Sequence, residues 1–280
     1  MSDEFTLDML DIPSGWNRGT GDWMGVAAAM KRGETVEVIQ EVGSTLWRNS
    51  LPEKHSLYWD GENLSTIKGR IWISFTQRRF APESVLPKVQ WHPRVLWIGI
   101  GCEAGTPREL IETAIQNVCR AYHLAEGAIA GIATIDTKAG ELGLLELCAA
   151  RNWPLKTFAA DILSSVEVPN PSNMVATAVG TPSVAEAAAL CAIALISCTI
   201  VKNRQDACST KSESALKNRQ DACSTKSESA CGVGILPARE RLLVPKQIFR
   251  SQNPPLLQGG VKVGSAVTVA VAVCPIDYLG

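Results

Sequence analysis

Three stretches of the chain combine residue types that hold anions or move protons. Gly99-Ile-Gly101-Cys102-Glu-Ala-Gly105 followed by Thr106 is a glycine-rich turn ahead of a helix start, and Gly180-Thr181-Pro-Ser183 is a second one, with Glu186 three residues on. Both matter because N–H groups at a helix amino terminus have no partner within the helix and attract carboxylate or phosphate. Asp136, Lys138 and Glu141 follow the run AGIATI, at the expected carboxyl edge of a sheet, where open α/β folds place ligand crevices. Spacing alone leaves alternatives open. The trio also suits a solvated loop, and the first glycine run suits a tight turn better than a nucleotide site, because its third glycine falls one place late for a dinucleotide fingerprint. No H-E-x-x-H, Walker loop, nucleophile elbow or zinc-spaced cluster occurs, and the histidines are His55, His92 and His123. The nine cysteines are odd in number and include no C-x-x-C pair, so Cys119, Cys148 and Cys191 read as small, reduced, apolar residues. No protein-bound metal and no cofactor are expected.

These groups need a scaffold, and 280 residues at 46% hydrophobic supply one large domain or two small ones. Lys plus Arg (27) against Asp plus Glu (28) leaves a formal charge of −1, so no whole-chain field recruits nucleic acid or anionic lipid. The start, MSDEFTLDMLD, is acidic and lacks the pattern of a secretory leader, which leads us to expect the cytosol. The longest uncharged apolar stretch, Ala187 to Val201, is too short to span a bilayer and reads as a buried helix.

The expected architecture is α/β, a layered mixed or parallel sheet with flanking helices. Arg94 to Ile100 reads as a buried strand. Thr106-Pro-Arg-Glu109 reads as a capping box opening a helix whose apolar face carries Leu110, Ile111, Ala114, Ile115, Val118, Cys119 and Tyr122. Ala128 to Ile135 and Leu155 to Phe158 are strands around a helix at Leu142 to Arg151. Ser183 and Glu186 form another capping box ahead of an alanine-rich helix, and Leu242 to Val244 and Ala266 to Val273 are further strands. Between them KNRQDACSTKSESA runs from Lys202 to Ala215 and returns unchanged from Lys217 to Ala230. With almost no aliphatic content it reads as a disordered tandem insertion over 202–240, and Cys208, Cys223 and Cys231 have neither a histidine nor a close pair to make it a metal arm. The front, up to about Lys88, carries five tryptophans among turns, with strands at Thr35 to Ile39 and Arg70 to Ser74, a partial α/β segment with too few elements for a core of its own.

GIGCEAGTPREL at Gly99, ATIDTKAGELGLLELC at Ala133, PNPSNMV at Pro169, VGTPSVAEAAAL at Val179, LLVPKQ at Leu242 and TVAVAV at Thr268, in that order, resemble the carboxyl-terminal domain of the cobalamin-biosynthesis family CbiG, the cobalt-precorrin-5A hydrolases. Gly15 to Glu53 resembles the end of that family's amino-terminal domain running into its middle region. The resemblance implies a division into 1–50, a remnant of the amino-terminal domain, 51–93, the middle region or connector, and 94–280, the carboxyl-terminal domain. It implies work on the anaerobic, early-cobalt branch of corrin-ring synthesis: hydrolysis of the δ-lactone of cobalt-precorrin-5A, with a two-carbon fragment leaving as acetaldehyde. The partner is then a cobalt-corrinoid intermediate, together with a separately encoded amino-terminal piece or neighbouring pathway enzymes. Carried over by position, the substrate-facing set is Gly99, Gly101, Cys102, Gly105, Thr106, Asp136, Lys138, Thr181, Ser183, Glu186, Lys246 and Gln247, with the catalytic residues unassigned. The family's glycine- and histidine-bearing loop belongs upstream of the segment matched here. A short homologue of the carboxyl domain, associated with tetrapyrrole binding in the oxygen-dependent route, supplies the alternative of a non-catalytic corrinoid-binding module.

Overall fold

The computed structural model describes residues 15–59, 67–81, 85–171, 181, 183–195, 241–251 and 266–274. The tandem repeat at 202–240 and the turn residues Gly180 and Pro182 lie outside them.

The front half is one sheet. Strands β1 (Asn17–Gly21), β2 (Val36–Gln40), β3 (Leu57–Tyr58), β4 (Gly69–Ile73) and β5 (Lys88–His92) lie in the order β1-β5-β4-β2-β3, with only β1 antiparallel to its neighbour. Helix α1 (Trp23–Lys31) starts at Asp22, whose carboxylate accepts from the Gly25 N–H at 2.8 Å. Its Val26, Ala29 and Met30 close over Val36, Val38, Ile71, Ile73, Val89 and Trp91, with Trp16 and Trp47 completing the cluster. The expectation of too few elements for a core therefore fails. Strands from both 17–40 and 57–92 interleave in one sheet, and bulky tryptophans supply buried area that a short segment otherwise lacks.

The second sheet runs β8-β7-β6-β10-β9, from β6 (Leu96–Cys102), β7 (Ile129–Ile135), β8 (Leu155–Phe158), β9 (Leu242–Arg250) and β10 (Ala266–Val273). β6, β7 and β8 are parallel, and β10 is antiparallel to both β6 and β9, so the sheet is mixed. Side chains alternate along β6. Ile98 and Ile100 face α2 (Arg108–Ala121) and α3 (Leu142–Arg151) through Ile111, Ile115, Val118, Leu144 and Leu147. Trp97 faces the other way, packing with α4 (Ala160–Ser164) through Leu163 and with a fifth helix, α5, over residues 184–195, through its alanines.

The strand expected at 94–100 starts and ends two residues later, which moves Gly99 and Gly101 out of the turn and into β6. Both belong to the α5 face of the strand. A Cβ at Gly99 would lie 1.8 Å from the Ala185 carbonyl oxygen, so α5 sits directly on the β6 backbone. Neither capping box forms. The Thr106 hydroxyl donates back to the Glu103 carbonyl at 2.8 Å, leaving Pro107 at the α2 cap position without a side-chain bond, and Glu186 is drawn elsewhere, as described below. β9 extends well past the short strand expected, as an edge strand against β10. Cys119, Cys148 and Cys191 are free and buried, and burial pushes their thiols up to about 12, 11 and 11. No helix among the described residues is long and apolar enough to cross a membrane.

The two sheets are joined by backbone bonds: Ala125 N–H to the Phe75 carbonyl (2.8 Å) and Gln77 N–H to the His123 carbonyl (2.7 Å). The Asn17 side-chain amide adds a donor to the Gly127 carbonyl (2.7 Å).

Candidate functional site

Because β6 and β7 are parallel, Cys102 and Ile135 end at the same edge of the second sheet. The antiparallel β10 begins there, with Val267 opposite Cys102. Helices α2 and α3 start at this edge on one face. α5 starts at it on the other, since its Val184 and Ala185 lie over Gly101. The residues expected to bind ligand gather here in two groups with different fates.

The first group closes on itself. Gly105 adopts φ +70°, a left-handed conformation that suits glycine, and presents its N–H to Glu141 Oε2 at 2.9 Å. Lys138 Nζ donates to Glu141 Oε1 at 2.8 Å. Burial pushes the Glu141 carboxyl up, but the Lys138 ammonium and the Gly105 N–H outweigh it and hold the group below its ordinary range. Thr106 is buried behind this knot, and a Cβ at Gly143 would strike its carbonyl at 2.3 Å. The turn before α2 thus already holds a carboxylate, that of its own chain. Asp136 is exposed at the start of the 3-10 turn Asp136–Lys138.

The second group surrounds an open hollow of about 240 Å³. Gly101, Cys102 and Glu103 form one side, Ser183, Val184 and Ala185 at the start of α5 the opposite side, and Lys246, Ile248, Ala266 and Thr268 from β9 and β10 the rest. Both glycine-bearing segments therefore meet in one hollow. Glycine at 101 keeps it clear, since a Cβ there would touch Val184 and Thr268 at 3.6 and 3.8 Å. Burial pushes Cys102 up to about 11, with the Lys138 charge opposing, so it is a protonated thiol and not a nucleophile at neutral pH.

The hydroxyls of this second turn are the unusual feature. Thr181 is fully buried and Ser183 is 3% exposed, yet neither Thr181 Oγ1 nor Ser183 Oγ has a hydrogen-bond partner among the described residues. A buried hydroxyl without a partner costs about 1–3 kcal/mol. Ser183 lines the hollow beside the amino terminus of a helix whose first N–H groups, as in any helix, lack partners within it, whereas Thr181 is buried and does not line it. Hydroxyl and amide donors so placed can hold an oxyanion.

Glu186 and Gln247 do not share in this. Glu186 is fully buried and accepts from Asn170 N–H (3.3 Å), Asn170 Nδ2 (2.9 Å) and Lys246 N–H (3.0 Å), tying α5 to β9 and to the segment ending at 171. Lys246 lines the hollow while its ammonium bonds the Asn170 carbonyl. Gln247 donates to the Pro245 carbonyl at 3.2 Å and is no part of the lining. Gly99 serves the approach of α5 and does not line the hollow. Sequence reasoning missed Asn170, Ile248 and Thr268. Asn170 lies within the PNPSNMV motif, and Thr268 is a polar residue in an otherwise Val and Ala strand, so faint signals existed for both.

Residues 96–272 match the family model described as cobalamin synthesis G C-terminus, and residues 5–93 match the cobalamin biosynthesis central region. A cobalt-precorrin-5A hydrolase of Priestia megaterium is 28% identical over 171 residues, 59% of this chain and 46% of that protein. Its counterpart from Salmonella typhimurium is 31% identical over 154 residues, 55% of this chain and 42% of that one. The chain thus spans less than half the length of these curated relatives. Among solved structures, CobE, a protein from the cobalamin (vitamin B12) biosynthetic pathway, aligns with TM-score 0.40 and 21% identity, over 64% of this chain and 92% of CobE.

Proposed function

Since the chain belongs to the cobalamin synthesis G family, whose carboxyl-terminal model alone spans more than half of it, we propose that it serves the opening of the δ-lactone of cobalt-precorrin-5A, and that the hollow before α5 seats a carboxylate of that ring. The observation that carries this reading is the Ser183 hydroxyl, which lines the hollow at the start of α5 and has no hydrogen-bond partner among the described residues.

The size of the hollow sets what it holds. About 240 Å³ is below the roughly 300–1,000 Å³ of pockets that enclose a whole drug-sized ligand, so it takes one acidic arm while the flat ring lies across the sheet edge. Ser183 donates to the arm together with the first N–H groups of α5, and the helix dipole favours its charge. Ile248, 57% exposed on the rim, gives the ring an apolar contact. Lys246 supplies a positive charge near the arm at no cost in new burial, because its stem is already packed there.

Lactone hydrolysis requires a base for the attacking water and donors for the oxyanion that forms on the carbonyl. The hollow offers donors in plenty. The carboxylate bordering it is Glu103, and no histidine is among its lining residues. Its chemistry is that of holding and orienting, which places the arm and, through it, the lactone. Glu141 and Lys138, bonded to each other, brace the neighbouring turn and shape the edge without touching the arm.

The test is to add purified chain to cobalt-precorrin-5A and follow both the corrinoid spectrum and acetaldehyde. A saturable spectral shift with aldehyde release supports the hydrolytic reading. A shift without aldehyde limits this chain to corrinoid binding, and no shift overturns the proposal.

A further inference from the structure

A larger cleft, of about 700 Å³, lies between the two sheets and shares no residue with the α5 hollow. Arg18 and Arg79 line it from the front half, and Arg120 and His123, at the end of α2, from the second half. The carboxylate among the described lining residues, Glu126, also lies 3.6 Å from Arg151 outside the cleft, so the charge facing inward is strongly positive. Arg79 makes no ion pair among the described residues, and Arg120 donates to the neutral Asn117 amide oxygen at 3.3 Å. Arg18 is held over the Trp23 and Trp91 rings, 5.0 and 5.6 Å from their centroids, whereas Arg79 and Arg120, one from each half, meet at the recess as like charges that an anion between them would relieve.

Two local features agree. His123 is exposed and holds φ +54°, where a residue other than glycine carries about 1–2 kcal/mol of strain. This is the position after a helix at which glycine is the ordinary choice, and here its side chain lines the cleft. At the base of the cleft His92 is 2% exposed, and its Nδ1–H donates to the Ser74 carbonyl at 2.8 Å. That bond leaves Nε2 as a buried acceptor without a partner among the described residues, which can meet a protonated ligand oxygen but not its charge. Gly19 lies against this nitrogen, and a Cβ there would come within 2.3 Å of it, so the wall beside His92 stays backbone only.

We propose that this cleft is a binding site for a small polyanion bearing two or more carboxylate or phosphate groups, clamped between Arg18 and Arg79 on one wall and Arg120 and His123 on the other. The site stands independently of the corrinoid reading. Bridging the two sheets, the ligand stabilises their docking as well as each wall.

The probes are citrate and inorganic pyrophosphate, titrated into the full chain by calorimetry, with the melting temperature followed in parallel. Binding of either probe, weakened tenfold or more by Arg120→Glu and by Arg79→Glu but unchanged by Lys31→Glu on the remote end of α1, supports the site and identifies carboxylate or phosphate as its preference. His123→Gly raises the melting temperature of the free protein while weakening the probe, a combination a purely structural histidine does not give. Failure of both probes to bind the unaltered chain, or binding indifferent to both arginine reversals, overturns the proposal. Neither result bears on corrinoid binding, which Ser183→Ala scores separately.

Discussion

Ser183→Ala separates a residue that holds a ligand from one that holds a helix. Serine before a helix ordinarily caps it, and its loss then costs about 0.5–2 kcal/mol. Among the described residues Ser183 Oγ caps nothing and is buried without a partner, so the folded state already carries its desolvation penalty, about 1–3 kcal/mol. Alanine removes the hydroxyl and that penalty together, leaving a void of one oxygen that takes back part of the gain. The expected result is a protein more stable by about 1 kcal/mol, a rise in melting temperature of roughly 2–4 °C. Ligand affinity moves the other way. One hydrogen bond to a charged group contributes about 1.5–3 kcal/mol, so corrinoid binding weakens roughly tenfold or more. Urea unfolding followed by two probes gives the stability, and spectral titration the affinity. Thr181→Val, which keeps the shape and deletes a hydroxyl that does not line the hollow, is the control: it repeats the stability gain and leaves the affinity unchanged. If Ser183→Ala destabilises the protein by a kilocalorie or more, the hydroxyl is a cap and the hollow loses its best donor.

Two further changes probe the scaffold around the hollow. Gly99→Ala sets a methyl 1.8 Å from the Ala185 carbonyl, a backbone atom that cannot swing aside. It is expected to cost at least about 1–3 kcal/mol and to shift α5, visible as a lower urea midpoint together with lost corrinoid binding. Glu141→Gln removes the charge that Lys138 and the Gly105 N–H hold. Because the folded carboxyl titrates below its unfolded value, its stabilisation is full above the unfolded carboxyl range and is lost as pH falls through the folded value. The stability gap between the unaltered chain and Glu141→Gln, of order 1 kcal/mol for a half-buried pair, should therefore be constant near neutrality and vanish in acid. A gap independent of pH would show that the carboxylate charge is not what braces the turn.

Much of the second sheet is legible in the residues themselves. The valine alternation of β10 and the spacing of Ile111, Ala114, Ile115 and Val118 each fix an element by its own period, because burial on one face imposes 2 or 3.6 residues per repeat, and the short unbroken apolar run of β7 marks a strand buried on both faces. The inert cysteines follow equally from their apolar neighbours. The front was misjudged because its core is assembled from tryptophans far apart in sequence, such as Trp16, Trp47 and Trp91, with no local period to announce it.

What the chain alone could not tell is which of its polar groups are already spoken for. Two helix starts with nearly the same letters, Thr-Pro-Arg-Glu and Thr-Pro-Ser-Val-Ala-Glu, end with opposite roles. Glu141, 36 residues on from Gly105, fills the first, whereas Asn170 and Lys246 draw Glu186 away from the second and leave its hydroxyls open. Each of these choices exchanges one hydrogen bond for another of similar strength. Local preference therefore does not decide between them, and the outcome is set by whichever distant group packing brings within 3 Å.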